Sequence, residues 1–156
     1  MDLSFEQGQL SKAVMIRLKP GCDLIEGIEN VCQKLDIESG VITCCIGSLQ
    51  KASYSLPVPL ENKFGSGYGD PTLLDGPLEL LSGQGMIGKE KDGEYFIHLH
   101  GVLSDKNHNI SGGHFIKGQI PVLITCEIMI SPIQEMRMVR TYDPEVDMKV
   151  LLPTPR

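Results

Sequence analysis

The sequence predicts an α+β domain, a mostly antiparallel β-sheet with one main flanking helix, and three observations carry that expectation. Only the stretch from Asp23 to Leu35 places apolar residues at helical spacing. Elsewhere the apolar residues alternate or gather in short blocks, as they do in strands. Seventeen glycines and ten prolines with no tryptophan provide more turns than a helical bundle needs. Residues 1–156 read as a single domain, with a core at about 13–142 and a C-terminal tail at 143–156. A chain of this length buries about 68 to 70% of its unfolded surface and needs no disulfide to fold.

The elements follow in order. Lys12 to Leu18 sets Ala13, Met15 and Arg17 against Val14, Ile16 and Leu18, a first strand that Pro20 and Gly21 end. Asp23 with Glu26 three residues later matches a capping box, which starts the helix. Leu24, Ile28, Val31 and Leu35 then make an apolar stripe, while Glu26, Glu29, Asn30 and Lys34 face away. After the break at Ser39 and Gly40, Val41 to Leu49 is nearly continuous apolar and reads as a central strand buried on both faces. Ala52 to Leu56 alternates and is expected to pair with it. Residues 57–71, rich in glycine and proline, have no period and read as a loop. Leu78 to Leu81 and Ser82 to Gly88 form a further strand, and Lys91 to Gly93 turns the chain into Tyr95 to Leu103. Ile120 to Ile130 is the longest apolar run, and Met136 to Tyr142 alternates as an outer strand does.

Charge and composition exclude several classes of function. Fourteen basic against 20 acidic residues give a net charge of -6, with no basic stripe. Phosphate contacts supply most nonspecific affinity for nucleic acid, so unaided DNA binding is not expected. No apolar run approaches the roughly 18 residues of a membrane span, and the first twelve residues lack the order of a signal peptide. The expected location is the cytoplasm. The five cysteines, Cys22, Cys32, Cys44, Cys45 and Cys126, have no CxxC spacing, and with Cys44, Cys45 and Cys126 in apolar runs they read as buried free thiols.

All four histidines lie between Tyr95 and Lys117. His98 and His100 are two apart on a strand, so their imidazoles point to one face. The polar run Asp105 to Asn109 then makes a hairpin loop that returns His114 towards them. Three such nitrogens, open at one position, form a set that a first-row divalent ion accepts. A hydrogen-bonded structural cluster is the competing reading, and Gly112 and Gly113 weigh against it, since glycines inside a strand mark a bulge or a close approach. His108 reads as a solvated loop residue. On the same strand neither face is written for water: Tyr95, Ile97, Leu99 and Leu103 take one side, Phe96, His98, His100 and Val102 the other. One helix covers one side only, so a homo-oligomer is expected.

RLKPGCDLIEGIENVCQKLDIESGVITCCIGSLQKASYSL, DGPLELLSGQGMI and GEYFIHLHGVLSDKNHNISGGHFIKGQI together resemble the plant and prokaryote conserved (PPC) domain, from about Met15 to about Ile130. The resemblance implies a compact sheet with a flanking helix, assembly as a homotrimer, and a divalent metal such as zinc on His98, His100 and His114. In plants the domain accompanies AT hooks that bind DNA and itself mediates protein contacts through a segment similar to GPLELL at Gly76 to Leu81. Pro77 stands where the plant segment has arginine, and no RGRP core is present.

The leading functional reading is therefore a metal-binding trimer that acts on or senses a small molecule. Its acid or base could be Glu79, Glu94, Asp105 or Glu127, among which the sequence gives no preference. The alternative is a DNA-associated or regulatory protein-interaction module in which the metal is structural. A third reading is a cupin-like metalloenzyme, since Gly93, His98, His100, Asp105 and Gly112 nearly follow that motif, although no second motif follows and the early helix fits badly.

Overall fold

The computed structural model describes residues 5–10 and 12–156, so parts of the N-terminal segment read for a signal peptide, residues 1–4 and 11, lie outside it. In chain order the elements are β1 Gln9–Leu10, β2 Val14–Leu18, α1 Leu24–Leu35, β3 Gly40–Ser55, β4 Pro57–Pro59, β5 Ser66–Tyr68, β6 Thr72–Glu90, β7 Tyr95–Asp105, β8 Ile110–Phe115, β9 Val122–Gln134, β10 Met136–Asp143 and β11 Met148–Pro155. The α+β class with a mostly antiparallel sheet is as expected; among the described residues β10 alone runs parallel to a neighbour, β6, pairing Val139 with Lys89.

β3 organises the sheet. It pairs along one edge with β9 and along the other with β6, and its last residues turn to β8 through Tyr54↔Phe115 and Ser55↔His114. Because β6 pairs with β7 and β7 with β8, the four strands β3, β6, β7 and β8 close on themselves. Leu49, Leu80, Leu99, Leu103 and Phe115 are buried within the resulting core. The helix adds Leu24, Ile28 and Cys32, packing against β2 and β7.

Asp23 fixes where that helix starts. Its Oδ1 accepts from the backbone of Ile25 and Glu26, and its Oδ2 accepts from the Ile120 amide at 2.8 Å, which ties the cap to the approach of β9. Leu35 departs from the expected stripe. It is 47% exposed.

Three other expectations need correction. The segment Val41 to Leu49 is central but not buried on both faces: Ile42, Cys45 and Leu49 are buried while Thr43 and Ile46 are exposed. Ala52 to Leu56 supplies no separate partner strand, because residues to Ser55 continue β3 past a register shift between Leu49 and Lys51. Such a bulge absorbs an extra residue and lets one strand continue where the sequence pattern breaks. Met136 to Tyr142 is not outermost either. β11, inside the segment read as a tail, pairs with β10 over its whole length and takes the edge. Residues 57–71 also hold structure, the small hairpin of β4 and β5. No helix among the described residues is long and apolar enough to cross a membrane.

Candidate metal centre

Strand alternation and one hairpin assemble the histidines. His100 faces His114 directly across β7 and β8, and His98 lies two residues before His100 on the same face. The resulting distances are short: His98 Nε2 is 3.0 Å from His100 Nε2, and His114 Nδ1 is 3.3 Å from the same atom. One ring nitrogen from each of the three lies within 4.8 Å of the others. Ligands about 2.0 to 2.1 Å from a tetrahedral zinc lie roughly 3.3 Å apart, so the spacing suits a shared ion.

Hydrogen bonding alone satisfies this arrangement poorly. A neutral ring nitrogen either donates one proton or presents one lone pair, yet His100 Nε2 meets two other nitrogens. A cation at the centre would accept all three lone pairs at once. Charge state agrees with ligation, which needs neutral imidazole. Burial, then His100 and Arg140, holds the His98 pKa below its ordinary value. Burial, then His98, His100 and Arg140, takes His114 down to about 4.

The double glycine has a definite role in this geometry. Gly112 has φ +147°, and a Cβ there would collide with the carbonyl oxygen of Gly101 on β7. At Gly113 a Cβ would come within 2.7 Å of the Ser55 carbonyl oxygen on β3. The close approach inferred from the sequence is therefore that of strand to strand, which lets β8 pass between β7 and β3. His108 stays apart, exposed in the turn with φ 65°.

None of the four carboxylates considered as acid or base joins the histidines. Glu79 and Glu94 are exposed, and Glu127 accepts from Thr125 Oγ1. Asp105 binds the amides of Asn107 and Asn109 and the Asn109 side chain, so it shapes the β7–β8 turn. The cupin-like reading, which needs a carboxylate beside the histidines, loses its support there.

Residues that sequence reasoning passed over surround the cluster. Tyr68, carried by β5, sets its ring 4.9 Å from that of His114. Arg140 of β10 lies 4.1 Å over the Phe96 ring and donates to Glu90 Oε1 at 2.6 Å. Lys149 of β11 donates to the other oxygen of Glu90 at 3.1 Å. Burial works against ionisation of Glu90, but these two cations outweigh it and hold its pKa below the usual value. Alternation in Met136 to Tyr142 put Arg140 on a strand; nothing in the sequence indicated which face that strand would meet.

Known proteins share this architecture. A metal-containing protein from Archaeoglobus fulgidus is 26% identical with a TM-score of 0.81, the likeness covering 97% of this chain and 99% of that one. A plant- and prokaryote-conserved protein from Pyrococcus horikoshii is also 26% identical, with a TM-score of 0.79 and 96% of each chain covered. A candidate DNA-binding protein from Ralstonia eutropha, 24% identical over 88% of each chain with a TM-score of 0.72, shares the fold. The bifunctional protein GlmU of a Synechococcus strain is 30% identical over 129 residues, 83% of this chain, and the match spans only 18% of that longer protein. The family model of the Plants and Prokaryotes Conserved domain matches residues 5–134, and the chain belongs to that family.

Proposed function

We propose that this protein is a cytoplasmic homotrimer in which His98, His100 and His114 hold one divalent ion, zinc, and that the site acts on or senses a small molecule. The observation that carries the reading is the convergence of three imidazole nitrogens, with those of His98 and His114 3.0 and 3.3 Å from His100 Nε2 and all three within 4.8 Å of one another. Support comes from the similar Archaeoglobus fulgidus protein, which contains metal. Three neutral ligands would leave the charge of the ion nearly undiminished. A bound ion of that kind lowers the pKa of its water to about 7 and polarises carbonyl groups, chemistry that belongs to a centre with an open position. The chain's own part is to keep the imidazoles neutral and aimed. The free thiols of all five cysteines suit a reducing compartment.

The oligomer reading draws on the outer faces of the strands. Ile46, Leu81, Val102, Ile110 and Ile124 are between 44% and 65% exposed, more apolar side chain than a solvated sheet ordinarily presents. Light scattering at micromolar concentration, with metal analysis of protein purified without added metal, is expected to give three times the chain mass and one ion per chain. A monomer, or protein free of metal, would count against the proposal.

DNA association is the other reading, raised by the similarity to the candidate DNA-binding protein from Ralstonia eutropha. The net charge of -6 opposes it. The purified chain is expected to give no shift of duplex DNA near physiological salt, and tight binding that weakens with added salt would reverse that expectation.

A further inference from the structure

Next to the histidines lies a cavity of about 460 Å³ whose walls are mainly apolar: Met86, Phe96, Met138, Met148, Val150 and Leu151. His98 and His114 line one side of it, Tyr68 stands over His114, and β10 and β11 supply the far wall. The volume is in the range that holds a small organic molecule. Three of the walls are methionines, whose unbranched thioethers adapt to the shape of an apolar guest.

The charged groups in this cavity have one sign. Arg140 and Lys149 line it, and no acidic residue does. Both cations share the single carboxylate of Glu90 just outside, so the pair keeps one positive charge in excess. Arg140 also has a donor to spare: among the described residues its guanidinium makes one hydrogen bond, from Nη1 to Glu90 Oε1, which leaves Nη2 without a partner. A charged donor without a partner beside an apolar cavity favours a guest that brings an acceptor. A phosphate dianion would call for more donors and more charge than this. One carboxylate matches the free Nη2 of one guanidinium and one excess charge.

We infer that the cavity binds a monocarboxylate with an apolar body, seated on the methionine wall with its carboxylate towards Arg140 and next to the histidine cluster. This deepens the metal-site reading by giving the class of small molecule, and it rests on that reading only for what happens to the guest. Binding itself depends on Arg140 and the cavity.

The test is calorimetric titration of the full chain, zinc-loaded and zinc-free, with phenylbutyrate and octanoate beside their neutral primary amides. Each carboxylate is expected to bind at least about tenfold more tightly than its amide, the order of a hydrogen bond to a charged group. Arg140→Gln should abolish that preference without reducing zinc content. Met148→Trp, which fills the cavity and leaves the charges in place, should weaken carboxylate and amide alike. Equal binding of carboxylate and amide, a preference that survives Arg140→Gln, or no binding of either would overturn the inference. If the parent holds zinc and binds no carboxylate, this inference falls and the metal centre stands. If it holds no zinc and still selects carboxylates through Arg140, the metal centre falls and this inference stands.

Discussion

Replacing His100 by alanine is expected to strip the ion from the protein and to lower its thermal midpoint. His100 Nε2 is the atom that both other histidines approach, so its loss leaves two nitrogens with nothing between them. Two neutral nitrogens hold zinc poorly against water. An ion that binds only the folded chain stabilises it by about 2.7 kcal/mol at a free concentration 100 times its dissociation constant. For a chain of this size about 1 kcal/mol moves the midpoint by roughly 2 to 4 °C, so a fall of about 5 to 10 °C is expected in the presence of zinc. Stripped of metal, the variant and the parent should melt close together, because the imidazole then has little else to contribute. Calorimetry with and without a chelator separates these cases. A midpoint difference that is the same under both conditions would mean that His100 acts through packing.

Gly112→Val should be more damaging still, with most of the protein lost to unfolding and no metal in what remains. The backbone at φ +147° suits glycine, and the new Cβ would press on the Gly101 carbonyl oxygen, a backbone atom that cannot swing aside. Strain of this kind costs about 1 to 3 kcal/mol, and overpacking a further 1 to 3 kcal/mol. Together, about 2 to 6 kcal/mol, they reach the whole stability of a domain at the lower end of the usual range, about 5 kcal/mol. Relief would have to come from separating β7 and β8, where Val102 pairs with Gly112 and His100 with His114. Gly93 is the control. It has φ +95° but open space around its Cβ direction, so Gly93→Ala carries only the conformational cost, about 1 to 2 kcal/mol, and should keep its metal. Soluble yield, circular dichroism and metal content of the two variants check the contrast; a stable, metal-loaded Gly112→Val protein would show that the strands are not packed as described.

The parts of this molecule that could be read from its sequence are those set by local periodicity. His98 and His100 share a face because side chains alternate along a strand, and the polar turn at Asp105 to Asn109 brings His114 opposite His100. Asp23 announces its helix by chemistry that acts within three residues. What stayed hidden depends on long-range pairing. β3 continues through the bulge near Gln50, where the apolar pattern fails but the ladder resumes. Pro153 and Pro155 argue against a strand in the last residues, yet β11 is an edge strand, and prolines two apart remove amides on one side of it only. Tyr68 sits in a segment without any period, and only the β4–β5 hairpin brings it to His114. The wall of the cavity is thus built by the very segments whose sequences say least.

The shared ion is the central claim, and metal content of the parent beside His98→Ala, His100→Ala, His114→Ala and His108→Ala tests it most directly. One zinc per chain is expected in the parent and in His108→Ala, and little or none in the other three. Equal metal in all five proteins, or a loss from His108→Ala while His114→Ala keeps its ion, would contradict it.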